Sequence, residues 1–163
     1  MHQKEIMLEE LKAMGFEPIG LGNVGYAFKY EGQNYLYMPD DNDEQFLRIA
    51  IPHLYDVTDE NRVTVLETMH DTGLMLKYSK VRIMYEDAVW AIYEHRLSTF
   101  EDLTEILEHI IRVLEVTAQV FHMKINGGDV VFNSDDGEEV SDEQLEAELQ
   151  RMLQSIDDEE TSN

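Results

Sequence analysis

Residues 77–94 read KYSKVRIMYEDAVWAIYE, and this stretch decides the fold. Two runs, Lys77 to Tyr85 and Ala88 to Glu94, alternate in polarity on either side of Glu86-Asp87. A period of two sends successive side chains to opposite faces of a strand, and a two-residue connection makes the pair an antiparallel hairpin. Trp90 and Ile92 are expected on its inward side. Directly downstream, Ser98-Thr99-Phe100-Glu101 has the form of a capping box, which predicts a long helix over 99–123.

Upstream, Met7, Leu8, Leu11 and Met14 recur at helical spacing, and Gly15 stands where a helix over 4–14 needs a C-terminal glycine. Tyr26, Phe28 and Tyr30 then alternate with Ala27 and Lys29 before a Glu31-Gly32 turn and the run Gln33 to Met38, which predicts another hairpin. A third strand is expected from Gln45 to Ile51 or a few residues beyond, with Leu47, Ile49 and Ile51 on one face and Arg48 on the other. Thr58-Asp59 offers N-cap oxygens to a helix carrying Val63, Leu66, Met69 and His70 on one side, and Gly73 sits at its end. The expected class is α+β in the order α-β-β-β-α-β-β-α, spanning residues 1–125, with helices packed over a twisted antiparallel sheet.

The chain has 163 residues, 35 acids against 12 bases, and a formal net charge of -23. Residues 1–125 hold 22 acids and 11 bases, whereas 126–163 hold 13 acids and one base, so the last quarter carries about half the charge. Asn126-Gly127-Gly128 reads as a linker into this acidic tail. Within the tail, Ser141-Asp142-Glu143-Gln144 precedes Leu145, Leu149, Met152, Leu153 and Ile156, the pattern of a short amphipathic helix over 141–156. Nucleic acid and anionic membranes are disfavoured as partners, because both are bound through clustered Lys and Arg. With no cysteine, disulfides and thiolate chemistry are excluded. Neither a signal-peptide core nor an apolar run of about 20 residues is present, so a cytoplasmic protein is expected.

Motifs with chemical promise have simpler readings. Gly20-Leu21-Gly22-Asn23-Val24-Gly25 matches the dinucleotide fingerprint, but that loop must open a helix, and here it runs into a strand. It is read as a turn. Glu67-x-x-His70 has di-iron spacing without the second copy such a site needs, and His70 is placed at a helix–core edge. Glu105, Glu108 and His109 also have the look of ligands, and the wheel assigns the long helix's acids to a solvated stripe. The clusters at 40–44 and 135–139 lack EF-hand spacing. No catalytic, metal or cofactor residue is assigned, and no enzyme activity is expected.

The long helix does exceed the ordinary pattern. Ile111, Val113, Val116 and Val120 widen its apolar arc to roughly 220°, where a helix resting on a sheet needs about 100°. Another helix, the tail or a second subunit is required to cover the excess. Nine methionines suit either a core or an adaptable binding surface.

The element order, the acidity, the strand ending Ile49-Ala50-Ile51-Pro52, the helix opening Asp59-Glu60-Asn61-Arg62 and the hairpin at 77–94 together resemble the class I type III secretion chaperones and the related bacterial sensory-transduction regulators. The resemblance covers about residues 3–124. It implies a non-catalytic protein-binding domain, chaperone-like or regulatory, acting as a homodimer on a protein partner. In those chaperones the dimer forms through the elements corresponding to 59–73 and 76–85. The interface candidates are accordingly Val63, Leu66, Met69, His70, Val81 and Ile83, joined by Ile111, Val113 and Val116 from the wide arc. A small-ligand or metal-binding sensor is the alternative expectation.

Overall fold

The structure, a computed structural model, describes residues 2–128. The chain runs α1 (Gln3–Ala13), β1 (Ile19–Gly20), β2 (Tyr26–Tyr30), β3 (Gln33–Tyr37), β4 (Phe46–Asp56), α2 (Arg62–Gly73), β5 (Ser79–Met84), β6 (Ala88–Arg96) and α3 (Leu103–Ile125). All six strands join one antiparallel sheet in the order β1-β2-β3-β4-β6-β5. The fold is therefore α+β in the expected order, with the two-residue β1 added at one edge. The acidic segment from 129 and the helix expected over 141–156 lie outside the described residues.

Local chemistry explains the punctuation. Glu31 and Gly32, and likewise Glu86 and Asp87, all take positive φ, as the two-residue turns that match strand twist require. Gly15 adopts φ +95 after α1, where its N–H bonds to Lys12 O at 3.0 Å and the Phe16 N–H to Leu11 O at 2.9 Å. β4 runs through Pro52 because its pairing with β6 is interrupted by a bulge between Ile51 and Tyr55, where no ladder bond is asked of the proline.

Alternate strand residues enter two separate clusters. Phe28, Tyr35, Tyr37, Leu47, Ile49, Ile51, Val89, Ala91 and Tyr93 pack with the apolar residues of all three helices. Their neighbours Leu36, Ala50, Ala88, Trp90 and Ile92 form a second cluster that contains no helix residue. All three helices thus cover one face. Trp90 and Ile92 are buried as expected, but in the second cluster, whereas Val89, Ala91 and Tyr93, also apolar, face the helices.

Two helix starts also differ from expectation. The Ser98-to-Glu101 capping box does not cap: α3 begins at Leu103, after Asp102 in a left-handed conformation without a side-chain cap. At α2, Thr58 and Asn61 exchange bonds instead, the Thr58 N–H to Asn61 Oδ1 at 2.7 Å and the Asn61 N–H to Thr58 Oγ1 at 3.2 Å.

The N-terminus of α1 is capped from a distant loop. The Glu44 carboxylate accepts the Gln3 backbone N–H at 2.8 Å and pairs with His2 Nδ1 at 2.8 Å. These bonds, that to the Gln3 backbone first, hold the Glu44 carboxyl below its ordinary range. A lowered carboxyl stabilises the fold at pH above its unfolded value, and that contribution is lost as pH falls through the folded value. Glu44→Gln is thus expected to be less stable than the native chain at neutral pH, with the difference closing under acid. Urea titrations at a series of pH values check this.

Candidate functional site

α2 presents its two sides in a way composition does not forecast. Val65, Thr68 and Thr72 are buried, and the threonine hydroxyls stay satisfied by donating to the carbonyls one turn back, Thr68 to Thr64 O and Thr72 to Thr68 O, each at 2.7 Å. The opposite side carries Val63, Leu66, His70 and, one turn on, Leu74. Their i, i+3, i+7, i+11 spacing makes a single stripe. Val63 is 69% exposed, Leu66 48% and Leu74 74%. Three large aliphatic side chains in line on one helix are an apolar patch of the kind that marks an interaction surface.

This stripe adjoins an open sheet edge. α2 packs on α3 and on β5, which pairs with β6 alone among the described residues. Along β5, Val81 and Ile83 turn to the helices and are half-buried, while Lys80 and Arg82 are exposed on the other face. An edge strand offers unpaired backbone groups to an extended peptide, and its lysine discourages indiscriminate pairing.

The structure brings together only some of the expected interface residues. Val63, Leu66 and His70 share the exposed stripe; His70 is not at the core edge. Met69, Val81 and Ile83 are partly buried against the core. Ile111, Val113 and Val116 are buried at 4%, 2% and 5% within the single chain, so its own packing covers the wide arc of α3. Leu74 was missed, although the step from Val63 through Leu66 and His70 reaches it.

His109, next to the stripe of acids on α3, is buried, with Tyr78 at 5.2 Å and Tyr93 at 5.9 Å, both edge-on. Tyr78 and Tyr93 stack at 6.1 Å. These aromatic faces fill the space between β6 and α3, a core role that only the strand register reveals.

A groove of about 580 Å³ opens between α1 and α3. Its apolar wall includes Met14, Phe16, Tyr30 and Ile111, and its rim Glu10, Glu108 and Arg112, with Thr104 bonded to Glu10. Nearby, burial and then Glu31 raise the Glu115 carboxyl. No group of three or more metal-ligating side chains is assembled among the described residues. The Gly20–Gly25 segment is a tight turn closed by the Leu21 N–H on Gly25 O at 2.8 Å, and it leads into a strand, not a helix.

No family model matches the chain, and no curated protein does. Among solved structures, an uncharacterized protein from Methanothermobacter thermautotrophicus is similar in fold, with a TM-score of 0.52 and 12% identity, over 76% of this chain and 96% of that one. No helix among the described residues is long and apolar enough to cross a membrane.

Proposed function

We propose that the chain is a non-catalytic protein-binding domain, chaperone-like or regulatory, that works as a homodimer in the cytoplasm, in the manner its resemblance to type III secretion chaperones implies. The observation that carries this reading is the exposed Val63–Leu66–Leu74 stripe beside the open edge of β5. Self-association through α2 buries that stripe, and the free edge remains for an extended segment of a partner. Leu66→Asp removes an exposed side chain, so it is expected to leave folding intact and convert the dimer to monomer. Light scattering across a concentration series, with circular dichroism as the folding control, reads this out. A native chain that is monomeric at high micromolar concentration sinks the dimer.

The α1–α3 groove supports a second reading, a small-ligand sensor, because its volume lies within the range of ligand pockets and it combines apolar and charged lining. A thermal-shift screen separates the two. Stabilisation by a small molecule that is abolished by Phe16→Ala, with no change in oligomeric state, favours the sensor.

A further inference from the structure

The sheet face turned away from the helices is buried without a described layer to bury it. Leu36 is 2% exposed, Trp90 6%, and Ala50 and Ile92 not at all, yet among the described residues no helix lies over them. What packs there is Val24 from the glycine-rich turn, the neighbouring Ala27 and Met84, and Tyr85, whose ring stands edge-on to Trp90 at 5.7 Å. The Trp90 indole N–H is buried with no acceptor among the described residues. A buried donor of this kind costs free energy until an acceptor is supplied.

The same face collects positive charge in an acidic protein. Strand alternation places Lys29, Arg48, Lys80, Arg82 and Arg96 on it, five of the eleven cations in residues 2–128. Among them Glu94 is shared by Arg48, at 2.9 Å, and Lys80, and Asp56, opposite Ala88, is the acid at the far end of the face. Burial first, and then the charges of Arg82 and Arg48, hold the Lys80 ammonium below its ordinary value.

We propose that residues 129–163 of the same chain dock on this face, closing the sheet from its second side. The segment carries 13 acids and one base, complementary to the cationic rim, and its carboxylates and carbonyls are acceptors for the Trp90 indole. Leu145, Leu149, Met152, Leu153 and Ile156 supply an apolar side for Leu36, Ala50, Trp90 and Ile92. The geometry allows the connection. α3 ends beside β4, with His122 Nε2 at 3.0 Å from Leu54 O, where Tyr55 and Asp56 pair with Val89 and Ala88. Residues 129–140 reach up to about 40 Å when extended, against about 20 Å from the helix layer to a layer on the far face, two packed spacings of about 10 Å. This inference is independent of the dimer proposed above, because it uses the opposite face of the sheet.

The test uses the full chain, whose single tryptophan is Trp90. Carbodiimide coupling of a mixture of isotopically light and heavy chains, read by mass spectrometry, is expected to join Lys80 or Lys29 to acids within 135–160, and to do so within one copy. Leu149→Asp combined with Leu153→Asp is expected to shift Trp90 emission to longer wavelength and increase its quenching by acrylamide. Lys80→Glu with Arg82→Glu should move both signals in the same direction without substituting any apolar residue. Mixed light–heavy couplings in the proportion expected for random pairing of copies would overturn the proposal in favour of a second copy. Absence of couplings to 135–160, or tryptophan signals unmoved by both pairs of substitutions in a folded chain, would also overturn it.

Discussion

Gly25→Ala is expected to cost about 3 kcal/mol or more of folding stability, a large share of the roughly 5–15 kcal/mol that holds a domain together. Gly25 has φ +144, and a Cβ built on it falls 2.1 Å from the backbone oxygen of Tyr37. No side-chain rotation relieves that overlap, because the obstructing atom belongs to β3 itself. Either the turn lifts away from the sheet, withdrawing Val24 from the Leu36–Trp90 cluster, or the pairing of Tyr26 with Tyr37 opens. Gly22 is the internal control. Its φ is +59, but nothing lies within 4 Å of a Cβ placed there, so Gly22→Ala bears only the left-handed backbone penalty of about 1 kcal/mol. Thermal melts of the two variants should differ by several degrees at about 2–4 °C per kcal/mol. Equal losses would show that the close approach to Tyr37 is not what requires the glycine.

Gln3→Ala ranks next, at about 2–3 kcal/mol, because one side chain satisfies several buried groups. Gln3 is 4% exposed; its Nε2 donates to Glu44 O at 2.9 Å and Phe46 O at 3.1 Å, and its Oε1 accepts the Tyr37 hydroxyl at 2.7 Å. Truncation leaves the Tyr37 hydroxyl, on a fully buried ring, without its acceptor. Removing that hydroxyl as well should recover part of the loss. The double variant Gln3→Ala, Tyr37→Phe is expected to be less destabilised than the sum of the single variants, by about 1 kcal/mol in a denaturant-melt cycle. Strict additivity would mean that the bond contributes nothing measurable.

These two positions show how far the sequence could be read. The glycine-rich segment was legible as a turn because alternation from Tyr26 onward rules out the helix a phosphate loop needs. That its last glycine is sterically compulsory depends on Tyr37, twelve residues away and brought alongside by the β2–β3 pairing. Nothing in the local sequence sets Gln3 apart, because its partners Glu44 and Phe46 are more than forty residues off. The same limit applies to α2. Val63 and Leu66 outweigh Val65, Thr68 and Thr72 in hydropathy, so hydropathy alone does not mark Thr68 and Thr72 as buried; they are tolerated there because their hydroxyls bond to their own helix.

What the sequence determined by itself is local and periodic: the order of strands and helices, both two-residue hairpin turns, the inward set Leu47, Ile49 and Ile51, and the amphipathic α3. Those signals survive because period and turn chemistry act between residues close along the chain. Only the tertiary structure decided which face of β6 meets the helices, that α3's wide apolar arc is covered within one chain, and that five cations scattered from Lys29 to Arg96 share one sheet face. The first and last follow from strand pairing across long separations, where a shift of one residue exchanges the two faces, and the second from α2 and the sheet packing on α3.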